Sequence, residues 1–397
     1  LELSQRVQSI KESPTLAVTA RAAKLKAEGR DIIGLGAGEP DFDTPQHIKD
    51  AAKKAIDQGF TKYTPVAGIP GLKKAIVAKF KNENGFDYND KEVIVGVGGK
   101  QCIFNLALAV LNPGDEVIVP APYWVSYADI ALVAGAKPII VECGIEQGFK
   151  LTPAQLEAAI TPKTKLFMIN SPSNPTGAVY TLQELAALGE VLKKHPHVLV
   201  ATDDMYEHVN LTGDKFYNIL NATPELKERC IVLNGVSKAY SMTGWRIGYA
   251  AGPAKIIKAM EILQSQSTSN PTSISQVAAQ AALEGPQECI TPMLDAFRER
   301  HEYVVNRFNQ MKGLKCIKAG GAFYAFPDAR TAIANLFAAG KIKQANDLAL
   351  SEYLLEQEGV AVVPGSAFGA EGYFRISFAT SMDNLRNALD RIEKALA

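Results

Sequence analysis

The hydrophobic pattern of the chain switches between two periods. From about residue 50, short apolar runs alternate with longer stretches whose apolar positions recur at helical spacing. "EVIVGV" (92–97), "DEVIVP" (115–120), "AKPIIVEC" (136–143), "TKLFMIN" (164–170), "HVLVATD" (197–203), "CIVLNGV" (230–236) and "RIGYAAG" (246–252) predict strands. Between them "KQCIFNLALAVL", "YWVSYADIALVAGA", "TPAQLEAAI" and "TLQELAALGEVLKKH" predict helices. Several strands are apolar throughout rather than alternating, which suits a parallel sheet covered on both faces. The expected fold class is α/β, doubly wound, with ligands bound beyond the carboxyl ends of the strands.

After about residue 290 the texture changes. A charged helical stretch (293–311) precedes "GLKCIKAGGAFYAFPD", a second helical stretch (347–358) and "GVAVVPGSAFGAEGYFRISFAT". These predict a smaller α+β domain. The first 45 residues, with "GLGAGEPDFDTP", carry no βαβ pattern and are expected to complete it. The expected division is a large domain over 46–288 and a small domain from 1–45 and 289–397.

Composition narrows the partners. The 397 residues are 47% hydrophobic and 21% charged, as in a globular protein with a sizeable core. Forty-two Lys and Arg balance 42 Asp and Glu, which leaves no electrostatic footprint for nucleic acid or an anionic membrane. A small polar metabolite is the expected partner. The five cysteines are scattered and never spaced as C-x-x-C, so neither a disulfide framework nor a structural metal site is expected. The N-terminal "LELSQRVQSIKESP" does not have the form of a signal peptide, and a cytoplasmic location is expected.

Four motifs carry candidate chemistry. Gly98 and Gly99 stand between a predicted strand and helix, where bare backbone N–H groups suit an anion and equally suit a tight turn. Asp203-Asp204 ends a buried-type strand with Tyr206 close behind; such a carboxylate faces a ligand crevice or caps a helix. Alternation along the strand sends the two carboxylates to opposite sides, so only one of them faces the crevice. Asn174-Pro175-Thr176-Gly177 is a turn that could also present an amide.

"NGVSKAYSMTGWRIGYAAG" (234–252) sets Lys238 and Arg246 among small and apolar residues with no carboxylate between them. A lysine with a depressed pKa can form a Schiff base, and an arginine can clamp a phosphate through two N–H groups. Lysine, anion-binding turn, aspartate and arginine together are the parts that pyridoxal 5′-phosphate requires.

With "SKAYSMTGWRIGYA", "NPTG", "D-x-x-Y", "PVAGIPGLKKAI", "GGAFYAF" and "FRISFAT" in this order, the chain resembles the class I aminotransferases of fold type I. Its "GGKQ" and "PYWVSY" are most similar to the bacterial and plant branch of aspartate aminotransferases. The resemblance implies a mainly parallel seven-stranded sheet in the large domain, a homodimer with shared active sites, and transfer of an amino group between aspartate and 2-oxoglutarate. It implies that Lys238 holds the cofactor and moves the proton at the substrate Cα. Asp203 would pair with the pyridine nitrogen, which leaves Asp204 facing away and Asp204→Asn mild in its effect on rate; Asn174 and Tyr206 would contact the phenolic oxygen, and Trp124 would stack on the ring. Gly98, Gly99, Lys100 and Arg246 would surround the phosphate, with Tyr63 reaching in from a second subunit. Arg375 would clamp the substrate α-carboxylate with Asn174 and the backbone of Gly38.

Two departures accompany the resemblance. The stretch 264–273 has no arginine for a distal carboxylate, which shifts that task to Lys100, expected near Ser13–Thr15. Gly235 stands where the family usually has a serine three residues before the lysine. The alternatives are an aromatic or prephenate aminotransferase and, on the same cofactor, a C–S lyase; a non-catalytic regulator is disfavoured by the balanced charge.

Overall fold

The computed structural model describes residues 2–12 and 14–397, with Thr15 described for its backbone alone. Ser13 and the Thr15 side chain, expected near Lys100, therefore lie outside the described residues.

Each of the seven apolar runs is a strand of one sheet: β1 (Val93–Val97), β2 (Glu116–Ala121), β3 (Lys137–Glu142), β4 (Thr164–Asn170), β5 (Leu199–Asp203), β6 (Cys230–Gly235) and β7 (Ile247–Ala251). Their order across the sheet is β1-β7-β6-β5-β4-β2-β3. All neighbours run parallel except β7, which is antiparallel to both β1 and β6. Every residue of β6 and β7 is buried, which accounts for their unbroken apolar character. The edge strand β3 is only half-buried and exposes Lys137 and Glu142, charges that discourage further pairing.

The predicted helices follow their signals. Thr181 and Glu184 form a reciprocal cap at the start of helix Leu182–Lys194, and Thr152 with Gln155 does the same for Pro153–Ala159. Helix Gly98–Val110 begins directly on the two glycines after β1, with no linker between strand and helix.

Beyond the large sheet the strands are short. Val363–Pro364, Phe374–Ser377 and Tyr324–Ala325 form an antiparallel trio, flanked by helices Thr291–Gln310 and Met382–Leu396, which pack on each other. The N-terminal Ile33–Gly34 pairs in parallel with Val360–Ala361. Leu35 then donates to the Ala361 carbonyl and accepts from Ser377 N–H at 2.7 Å. This pairing carries Gly36 to Glu39 over the carboxyl edge of the large sheet, beside the strand that holds Arg375. Among the described residues no helix is long and apolar enough to cross a membrane.

Candidate active site

The topology explains the spacing of Lys238 and Arg246. β6 leaves the sheet at its carboxyl edge, the chain passes through Lys238, and antiparallel β7 re-enters from the same edge with Arg246 immediately before it. β4, β5 and β1 end at that edge too, delivering Asn170, Asp203 and the N-terminus of helix Gly98–Val110. A cleft of about 410 Å³ lies there. Gly38, Gly99, Lys100, Trp124, Asn174, Asp203, Tyr206, Lys238, Arg246 and Arg375 all line it. Gly98 lies just behind, at the helix start. Tyr63 does not line it: its side chain is 92% exposed on the surface of the same chain.

The turn into helix Gly98–Val110 is built to be bare. Gly98 has φ +74°, and a Cβ there would come within 2.3 Å of the Arg246 guanidinium. Gly248 on β7 meets the helix start so closely that a Cβ would lie 2.2 Å from the Gly99 nitrogen. Arg246 itself has φ 57°, and its carbonyl accepts from Gly98 N–H at 3.0 Å while Nη1 donates to the Thr243 carbonyl at 2.8 Å. An exposed guanidinium therefore stands beside the Gly99 and Lys100 amides at a helix N-terminus, a cradle for an anion. Gly235 is equally confined: a Cβ would sit 3.0 Å from the Ile247 carbonyl and 3.1 Å from Gly248 Cα, so the serine usual in the resembled family would crowd this backbone.

Asp203 is 7% exposed. Its Oδ2 accepts from the Tyr127 hydroxyl at 2.5 Å and its Oδ1 from Met205 N–H at 3.2 Å. Burial raises its pKa, and those two hydrogen bonds oppose the rise. A cationic ring in the cleft would supply the missing counter-charge. Asn170 steadies this edge from β4, donating to the Asp203 carbonyl at 2.9 Å and accepting from Asn174 N–H at 2.9 Å.

Asp204 faces the other way, as alternation predicts, toward Thr202 and Asn218. It is 1% exposed, accepts from Thr202 Oγ1 and Asn218 Nδ2 at 2.7 Å each, and burial with nearby Glu207 raises its pKa strongly. It is a structural carboxyl, and its loss removes two buried hydrogen bonds.

Lys238 donates to the Gly38 carbonyl and sits 5.8 Å from the Tyr206 ring centroid. Desolvation, with Arg375 and Arg246 nearby, lowers its pKa to about 8. Arg375 is 2% exposed. Nη1 donates to Asn174 Oδ1 at 2.8 Å and Nη2 to the Gly36 carbonyl at 2.7 Å, while the buried Nε has no partner. Among the described residues no carboxylate pairs with this cation, although burying a lone charge is costly. An incoming carboxylate would answer both deficits. Lys100 stands at the rim with Nζ 5.0 Å over the Trp124 ring, its pKa lowered by desolvation and by Arg246.

Sequence reasoning left out several residues of the cleft. Tyr127 and Asn170 support Asp203, and Tyr324 bonds Tyr206 at 2.8 Å. Leu16 and Thr19 of helix Pro14–Ala27 also line it, as does Glu39, whose carboxylate accepts from Thr243 Oγ1 at 2.8 Å. "PYWVSY" contained Tyr127 in plain view, but only the pairing of distant strands brings it to Asp203. Among the described residues one group outside the cleft has metal-ligand character, Glu83, Glu207 and His208. The buried Lys79 ammonium already pairs with Glu207 there and lies 3.6 Å from Glu83.

The profile for aminotransferase class I and II matches residues 30–392. An aspartate/prephenate aminotransferase of Nitrosomonas europaea is 62% identical over 397 residues, covering 100% of both chains. One of Cereibacter sphaeroides is 56% identical over 391 residues, covering 98% of both. Among solved structures, the aspartate aminotransferase of Rhizobium meliloti superposes with TM-score 0.95 at 49% identity, covering 100% of this chain and 99% of that one. That of Thermus thermophilus with maleate gives 0.92 at 44%, covering 100% of both. The chain belongs to the class I and II aminotransferases.

Proposed function

We propose that this aminotransferase moves the amino group between aspartate and 2-oxoglutarate, in two half-reactions, with pyridoxal 5′-phosphate as its resident group. The observation that carries the reading is the convergence, in one cleft, of an amine with pKa about 8, a buried carboxylate and a buried guanidinium with no carboxylate partner among the described residues. The residues fit the cofactor. Arg246 and the amides at Gly99 and Lys100 suit its phosphate, Asp203 its ring nitrogen, and Tyr206 and Asn174 its phenolic oxygen. Trp124 suits its ring face and Lys238 its aldehyde. When bound, the cofactor supplies an electron sink for the substrate Cα.

The chain's own groups do the rest. Asp203, held by Tyr127, would as a carboxylate keep a proton on the ring nitrogen. Arg375 takes the α-carboxylate through its planar fork and thereby fixes which Cα substituent faces Lys238. The amine of Lys238, with a pKa close to neutrality, would take the proton from the substrate Cα and hold it for return to the carbon on the other side of the amino nitrogen. Lys100, at the rim, would receive the distal carboxylate of a dicarboxylic substrate. Tyr63 belongs in this reading to a second copy's cleft, which makes a homodimer the active unit.

The similar sequences are those of aspartate/prephenate aminotransferases and the similar structures those of aspartate aminotransferases, which favours aspartate and leaves prephenate compatible. A coupled assay of aspartate, phenylalanine and tyrosine as donors to 2-oxoglutarate, and of prephenate as acceptor, tests the reading. Aspartate with 2-oxoglutarate should give high kcat/KM. An enzyme that used only aromatic donors, or released pyruvate and ammonia with no 2-oxo acid acceptor, would overturn it.

A further inference from the structure

Tyr324 lies at a junction that none of the roles above uses. It is fully buried at the start of strand Tyr324–Ala325. Its hydroxyl is 2.8 Å from that of Tyr206, and its ring lies 4.4 Å from Arg375 Cζ, within cation–π range. A Cβ on Gly38 would come within 3.1 Å of the same hydroxyl. One side chain thus touches the group expected at the cofactor oxygen, the group expected at the substrate carboxylate, and the loop over Lys238.

The proton count decides the direction of the Tyr206–Tyr324 bond. Each hydroxyl has one proton to give and can accept from another. If Tyr206 donates to the cofactor oxygen, the proton between the two tyrosines must come from Tyr324. A hydroxyl that accepts while it donates is polarised into a stronger donor, by roughly 10–30% in a buried chain. We propose that Tyr324 is a positioning residue for Tyr206: it donates into the Tyr206 oxygen, aims the Tyr206 proton at the cofactor, and keeps that hydroxyl in fixed register with Arg375 through its ring. The inference rests on the cofactor reading above. The charged and titratable groups facing this pair are Arg375, Asp203, Lys238 and Tyr127.

The test is a titration of the visible absorption of the enzyme loaded with pyridoxal phosphate. A hydrogen bond donated to the deprotonated oxygen favours the deprotonated form, so weakening it moves the midpoint up. Tyr324→Phe keeps the ring under Arg375 and removes only the hydroxyl. It should raise the midpoint by about 0.2–0.6 pH unit, the share expected for strengthening one charge-assisted bond. Tyr206→Phe should raise it further, and the double variant should match Tyr206→Phe alone. Succinate affinity in Tyr324→Phe should stay within about twofold of the parent, since the stacked ring remains. An unmoved midpoint in Tyr324→Phe overturns the inference, as does an equal shift when Tyr324→Phe is added to Tyr206→Phe. A parent enzyme that shows no visible band after loading overturns the cofactor reading and this inference with it.

Discussion

The behaviour of single residues here follows from what surrounds them. Lys238 has a pKa of about 8 because its ammonium is desolvated beside two arginines. At pH 7 roughly one amine in ten is then neutral, against roughly one in 2,500 at the ordinary value of ~10.4. Covalent capture of pyridoxal phosphate by the cofactor-free protein should accordingly rise with pH and level off above about 8, as followed by stopped-flow absorbance. A rate still climbing tenfold per unit at pH 9 would mean that the amine is not perturbed. The adjacent aspartates should separate by type of damage. Asp203→Asn should cost two or more orders of magnitude in kcat with a normal melting temperature, because a neutral amide no longer holds the ring proton. Asp204→Asn places an amide donor where Asn218 already donates, so it should lose about 1–3 kcal/mol of stability in denaturant titrations while kcat stays within a few fold. The reverse pattern would mean that the strand register assigned to the site is wrong.

Among the elements, the contact between β7 and helix Gly98–Val110 sets the anion cradle. Gly248→Ala pushes a methyl against the Gly99 nitrogen, a close approach with no flexible neighbour to yield. It should cost about 1–3 kcal/mol, visible as a lower melting temperature, and should weaken cofactor binding measured by equilibrium dialysis; unchanged affinity would show that the helix N-terminus does not hold the phosphate. The elements were legible in proportion to their length and burial. The interior strands of the large sheet announce themselves because a strand covered on both faces must be apolar throughout, and helix Leu182–Lys194 because its capping box is local. Ile33–Gly34, Val363–Pro364 and Tyr324–Ala325 have two residues each and no periodicity, so nothing local marks them. The order of β7 between β1 and β6 is likewise a property of non-local pairing. The same reason divides the site. Lys238, Arg246 and Asp203 stand at strand ends and can be read from the pattern, and the family resemblance supplies Arg375. Tyr127, Asn170 and Tyr324 act through partners 76, 33 and 118 residues away and could not be read.

At the scale of the whole molecule, an interleaved architecture closes the cleft. The N-terminal segment pairs with Val360–Ala361 and lays Gly38 over Lys238, so groups more than 300 residues apart in sequence complete one site. Tyr63, 92% exposed in the single chain, is the group that this site does not account for. Mixing a Tyr63→Ala variant with a Lys238→Ala variant should yield hybrid dimers in which one cleft keeps both native residues, with activity rising to about a quarter of the parent's for random pairing. No recovery, with hybrids present by native mass spectrometry, would place Tyr63 outside the partner's cleft. The central claim, that Lys238 holds the cofactor, has a more direct measurement. The loaded enzyme is reduced with borohydride, digested, and its peptides mapped by mass. The account predicts a single pyridoxyl-phosphate adduct on the peptide containing Lys238, absent from Lys238→Ala. An adduct on another lysine, or none in an enzyme that still transaminates, would contradict it.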